Sequence, residues 1–254
     1  MPAVRFQNLR MRFKVKTIVL LSAYGSPIST AYLNVLLEHR DIRLFCVYEQ
    51  NEKLEGEMKR IYRERFQDRA PVFKRASDFG VEECTIPGAN TPEGCRVLRQ
   101  IRPDLMVLAG AGIVNEGVLD IPKWGTLNCH PGLLPRYRGC TCVEWAIFEN
   151  QPVGATCHFV TTEIDAGDIV LAEPMSVSPG QTYVDLRLDM FYFQAQLLGR
   201  AVRKLLTAET PDKADLTAFN WSEARYYKPI PEEALQEVHR KLLAHEYCCG
   251  PEKK

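Results

Sequence analysis

The sequence predicts an α/β fold: a mostly parallel sheet with helices on both faces, a mixed-strand extension and a short C-terminal tail. Three observations predict it. Short apolar runs alternate with helical stretches through the first half of the chain, the pattern of a parallel sheet covered on both sides. Two late strands follow one another across a short turn, which suits an antiparallel or mixed addition to that sheet. The chain has 254 residues, 46% of them hydrophobic, enough to bury a full core without disulfide or metal staples and too apolar for global disorder.

The elements follow in order. Residues 17–22 (TIVLLS) read as a buried strand ending in a turn at Ala23-Tyr24-Gly25. Ser26 is expected to cap and Pro27 to start a helix reaching about Glu38. Residues 42–48 form a second buried strand and 52–67 a strongly charged surface helix. Thr91 caps a helix to Ile101, Arg102-Pro103-Asp104 ends it, and 105–109 (LMVLA) is a third buried strand. A strand over 125–128 runs into a Pro/Gly-rich loop, 131–139. After a helix near 143–148 come an alternating strand, 155–161, and a short strand, 168–171. Residues 182–208 form a long amphipathic helix. The tail carries Trp221, Tyr226 and Tyr227, then a helix opened by Pro231 and reaching about Ala244. The expected organisation is an arm over 1–16, a main domain over 17–208 and a tail with a short helix over 209–254. Neither repeats nor low-complexity segments occur.

Composition excludes several classes. The 32 basic residues balance 32 acidic ones, whereas a general nucleic-acid binder needs a basic footprint. The longest apolar stretch, 105–114, contains two glycines and is too short to span a bilayer. Nine cysteines, several inside apolar segments such as Cys46, suit buried free thiols in a reducing compartment. With no continuous apolar N-terminal segment, a cytoplasmic location is expected. Arg5, Arg10, Arg12, Lys14 and Lys16 precede the first acidic residue, Glu38, and read as a solvated lead-in.

Chemistry concentrates where a strand meets a loop. In an extended chain Asn128 and His130 point the same way while Cys129 turns away, and open α/β sheets bind ligands outside the carboxyl ends of their strands. Asp165 follows 35 residues after His130, in the turn between the two late strands. An amide donor, an imidazole and a carboxylate suit acyl transfer. The same residues also admit a turn cap, a packed histidine and an Asx turn. Cys129-His130 and Cys157-His158 resemble metal pairs, but neighbours on a strand face opposite ways, so only two of the four converge and no metal site is expected. No Gly-x-Gly-x-x-Gly follows the first strand, and Gly110-Ala111-Gly112 is too short to replace it, so a dinucleotide dehydrogenase loses its support.

The string LNCHPGLLPRYRG, with WAI six residues on, then GATCHF and IDAGDIV, resembles the folate-dependent formyltransferase family. The resemblance runs from about Leu105 to Leu171 and more weakly back to Thr17, and it implies a Rossmann-like fold. It places Asn128, His130 and Asp165 on the family's catalytic triad. It implies 10-formyltetrahydrofolate as co-substrate, with the pterin held largely by main chain of Leu108, Ala109, Gly110, Ala111, Gly112 and Ile113 and of the turn Glu163, Ile164 and Asp165. An amine would attack the formyl carbon, Asn128 and His130 would stabilise the oxyanion, and Asp165 would keep His130 charged and help remove the amine proton. No metal is implied. The family's usual proline is Cys142 here, within Cys140-Thr141-Cys142, where buried thiols are expected.

Among family members, the glycinamide ribonucleotide enzymes carry a Gly-rich, Asn-containing phosphate loop where this chain has Ser22-Ala23-Tyr24-Gly25-Ser26-Pro27. The stretch after the long helix is too short for the RNA-binding barrel of methionyl-tRNA formyltransferases. The expected acceptor is therefore the primary amine of a nucleotide-linked amino sugar, with glycinamide ribonucleotide the alternative and a non-catalytic binding protein a third. Arg136 and Arg138 would grip its phosphates or sit solvated on the loop. Trp221, Tyr226 and Tyr227 would stack on its base or pack the tail down. The expected partners are this small-molecule substrate and a second copy of the chain, with neither nucleic acid nor membrane.

Overall fold

The computed structural model describes residues 15–208 and 210–247. Most of the basic arm therefore lies outside the described residues; of its cations, Lys16 sets its ammonium 4.3 Å from the Trp124 ring centroid. The chain order is β1 (Lys16–Ala23), α1 (Pro27–Leu36), β2 (Ile42–Glu49), α2 (Glu52–Phe66), β3 (Glu82–Ile86), α3 (Pro92–Ile101) and β4 (Leu105–Ala109). There follow α4 (Glu116–Leu119), β5 (Thr126–His130), β6 (Arg138–Gly139), α5 (Cys142–Phe148), β7 (Gly154–Phe159) and β8 (Ile169–Pro174). The long α6 (Tyr183–Ala208), the short β9 (Tyr226–Tyr227) and α7 (Glu232–Leu243) complete the order.

Seven strands form one sheet in the order β3-β2-β1-β4-β5-β7-β8. The first five run parallel. β7 lies antiparallel to β5 and β8 antiparallel to β7, so the mixed extension stands where the alternating pattern and short turn put it. The central strand explains the continuous apolar run. Ile18 and Leu20 pack on one face with Leu105 and Val107, and Val19 and Leu21 on the other with Met106 and Leu98. Period two sends successive residues to opposite faces, and both faces are covered. α1 and α6 cover the first face, α3 the second.

Local signals hold in part. Thr91 caps α3 by accepting from the Gly94 amide at 3.0 Å. Ser26 occupies the N-cap of α1, but its hydroxyl makes no capping bond and the helix ends at Leu36. Its side chain is buried against the end of β4, where a Cβ on Gly110 would stand 2.8 Å from Ser26 Oγ. β3 carries no apolar alternation because it is an edge strand, and charge protects an edge. Glu82 pairs with Arg43 at 2.8 Å, and Glu83 takes Arg75 and the Ser77 amide.

Candidate active site

β5 ends the parallel run, and its last residues emerge at the carboxyl edge. Cys129 faces inward, opposite Cys157 on β7, while Asn128 and His130 take the other face. The Cys-His pairs are thus split between core and site, and no group of three or more His, Cys, Asp or Glu among the described residues is arranged to hold a metal. His130 is 5% exposed. Its Nε2 stands 2.7 Å from the Tyr137 carbonyl, an acceptor only, so Nε2 carries a proton. Its Nδ1 faces Asp165 Oδ2 at 3.4 Å. The loop closes tightly over the imidazole because residue 132 is glycine: a Cβ there would sit 2.7 Å from both His130 Nε2 and the Tyr137 carbonyl oxygen.

Asp165 is held in the left-handed region at φ 46°, which costs a non-glycine residue about 1 kcal/mol. The surroundings impose it. The Gly139 amide donates to Asp165 Oδ2 at 2.9 Å, and Arg138 donates Nε and Nη2 to the Ile164 carbonyl at 2.9 and 2.7 Å. Thr161 Oγ1 closes the turn onto the Ala166 carbonyl. Carboxylate and imidazole therefore meet through a turn clamped from β6.

A third titratable group joins them. His158, opposite Asn128 on β7, donates Nδ1–H to the Phe159 carbonyl at 2.8 Å and turns Nε2 toward Asp165 Oδ1 at 3.8 Å. Burial, and then the neighbouring His130, lower its pKa to about 4. His158 is thus a neutral ring beside the pair. In the sequence His158 stands beside Cys157 and resembles half of a metal pair; its register opposite Asn128 becomes visible once β5 and β7 pair.

Asn128 opens onto a cavity of about 550 Å³, which Leu108, Gly110, Ala111, Gly112 and Ile113 also line. Ala109 does not line it: it is buried in β4, its carbonyl accepting from Ser22 Oγ at 2.7 Å. Glu49, unmarked in the sequence, pins this loop by accepting from the Gly112 amide at 3.1 Å and the Ala89 amide at 2.8 Å. Glu163 and Ile164 lie exposed on the Asp165 turn, apart from the cavity lining.

A formyl transferase family model matches residues 15–202. The chain belongs to the formyl transferase family. It is 35% identical over 143 residues to the methionyl-tRNA formyltransferase of Syntrophus aciditrophicus, covering 56% of this chain and 46% of that protein. The corresponding protein of Deinococcus radiodurans is 38% identical over 154 residues, with 58% and 48% covered. The chain spans about half the length of the curated relatives it matches. Among solved structures, glycinamide ribonucleotide transformylase 1 from Symbiobacterium toebii superimposes with a TM-score of 0.62 at 23% identity, over 84% of this chain and 99% of that one. A sugar N-formyltransferase from Shewanella sp. FDAARGOS_354 gives 0.59 at 17%, over 85% and 77%. The structural likeness shows the fold.

The fold places several of the expected substrate residues elsewhere than at the cavity. Arg138 is buried and committed to the Ile164 carbonyl, with the Trp221 ring 4.9 Å from its guanidinium carbon. Tyr227 pairs in β9, stacks on Tyr137 at 5.3 Å and donates its hydroxyl to Glu149 at 2.8 Å. Both brace the 131–139 loop and the Asp165 turn, because the tail returns as a strand beside β6. Arg136 lies apart from the cavity, donating to Gln151 at 3.0 Å with Glu149 3.7 Å away. Tyr226 and one side of Trp221 remain exposed. Cys142 is buried, and burial followed by the Asp165 charge pushes its thiol pKa up, whereas Cys140 is exposed; the expectation of burial holds for one of the two.

Proposed function

We propose that this protein moves the formyl group of 10-formyltetrahydrofolate onto the primary amine of a nucleotide-linked amino sugar. The observation that carries the transfer is the His130–Asp165 pair, at 3.4 Å, beside Asn128 at the cavity wall. The co-substrate would lie along the Gly-containing loop 110–113, whose glycines let a flat ring approach the main chain, and it supplies an electrophilic formyl carbon. Asn128 makes no side-chain hydrogen bond among the described residues, so its amide is free to donate to the oxygen as charge develops there. Both ring nitrogens of His130 already face protein acceptors. Its part is therefore the proton rather than a second oxyanion bond: the gap between Nδ1 and Asp165 Oδ2 would seat the proton released by the attacking amine and return it to the folate nitrogen as the bond from that nitrogen to the formyl carbon breaks. His158, uncharged, adds no competing cation.

Support for the sugar acceptor is the exposed Trp221 and Tyr226 on the tail and the balanced charge of the chain, which suits a small anion better than a tRNA. The test offers the full chain 10-formyltetrahydrofolate with amino-sugar nucleotides, glycinamide ribonucleotide and methionyl-tRNA at equal concentration, and reads the products by mass spectrometry. Formylated amino-sugar nucleotide is expected. Formylation of either other acceptor alone overturns the sugar reading, and no formylation of any amine overturns the transfer itself.

A further inference from the structure

The α2–α6 wall of the cavity holds charge that formyl transfer leaves unused. Arg187, on α6, is 4% exposed. Its Nη1 reaches Glu144 Oε1 at 3.5 Å, and the Tyr183 hydroxyl donates to that same oxygen at 2.6 Å. Arg187 Nε and Glu144 Oε2 are both buried without a partner. Arg65, on α2, lines the same cavity and makes no ion pair among the described residues. Burial, and then the Arg187 charge, lower its pKa, whereas burial of Glu144 is outweighed by Arg187 and Arg65, which hold its pKa below the usual range. Two guanidiniums thus stand at this wall, Arg187 buried against one carboxylate oxygen and Arg65 half-buried on the cavity lining. An uncompensated buried charge is costly, and a forked donor with an empty Nε is complementary to an oxyanion with several oxygens.

We infer that Arg65 and Arg187 form a phosphoryl subsite, holding a phosphate of the acceptor whose amine is presented to Asn128 in the same cavity. The inference rests on the acceptor reading above only for which molecule carries the phosphate; the subsite itself is a property of the cavity. The residues expected to hold the folate come from the strand ends and the β7–β8 turn, whereas this pair comes from α2 and α6. The phosphate contact thus falls to two helical arginines, rather than to Arg136 or Arg138.

The test is binding by the full chain, without transfer, measured by calorimetry with inorganic pyrophosphate, inorganic phosphate and acetate as probes. Pyrophosphate is expected to bind, and Arg65→Gln to weaken it about ten- to a hundredfold, the worth of a charged hydrogen bond. Arg65→Lys, which keeps charge and loses the fork, should fall between, and it carries the comparison if the Gln variant does not fold. Arg60→Gln, on the exposed face of α2 beside Glu64, should bind as the parent does. Saturating folic acid should leave pyrophosphate affinity in place. No binding of either phosphate probe overturns the subsite, as does an equal loss in Arg60→Gln. Displacement by folic acid assigns the pair to the folate and overturns the acceptor assignment; tighter, Arg65-dependent binding of acetate overturns the phosphoryl one. None of these outcomes depends on whether formyl transfer is seen.

Discussion

Arg138 and Arg187 are buried alike, at 8% and 4% exposure, and are used in opposite ways. Arg138 turns Nε and Nη2 onto one carbonyl, with an indole ring against its guanidinium. Arg187 has one carboxylate oxygen at 3.5 Å and an Nε facing nothing. The first is a finished contact, and its product is the position of Asp165. The second is unfinished, and what completes it comes from outside the chain. Saturation of the donors, not burial or charge, separates a brace from a binding group.

The largest expected effect belongs to neither arginine. Asn128→Ala, His130→Ala and Asp165→Asn should each lower turnover by about a hundred- to a thousandfold, the usual loss of one group that acts on developing charge. Steady-state rates check this, and near-parental rates in all three variants refute the assignment. If brace and subsite are separate, these variants also retain pyrophosphate binding.

Next comes pH. His158 is held neutral with its pKa near 4 against an ordinary 6.5, so the unfolded chain binds a proton that the folded one refuses. Stability is therefore complete above pH 6.5 and is lost as pH falls from there to about 4, by about 3 kcal/mol. Denaturant midpoints across that range measure it. In His158→Gln this part of the slope should vanish; an unchanged slope would mean another group carries it.

Smaller again is Arg138→Gln, which strands the Ile164 carbonyl and should cost about 2 kcal/mol of stability, together with some turnover through the loosened Asp165 turn. Retained pyrophosphate binding sharpens the contrast with Arg187, and lost binding with unchanged stability breaks it. Trp221→Ala is the smallest, about 0.5–1 kcal/mol for a half-exposed cation–π contact, read as a shift in thermal midpoint.

The parts of the molecule that were readable from sequence are those where local period decides placement. β1, β2 and β4 announce themselves by unbroken apolar runs, and Asn128 and His130 share a face because strands alternate. His158 was not readable, because only the antiparallel register of β7 sets it opposite Asn128. Arg65 looks in sequence like one more cation on a solvated helix; the packing of α2 beside α6 turns it into the cavity and half-buries it. Tyr227 looked like a stacking face, since a two-residue strand such as β9 has no periodicity to read. The Arg138 clamp needed the turn it grips, 26 residues away.

The pairing of β6 with β9 sets an order of events during synthesis. Thr141 receives the Ile230 amide across 89 residues of chain, and Tyr226 and Tyr227 are made long after the sheet strands they brace. N-terminal segments fold first as a chain leaves the ribosome. The strands of the sheet and the two helical arginines are thus synthesised before the loop that carries Gly139 has its partner. Removal of the chain from β9 onward would therefore withdraw the partner of the loop that carries Gly139 while leaving the two helical arginines in the chain.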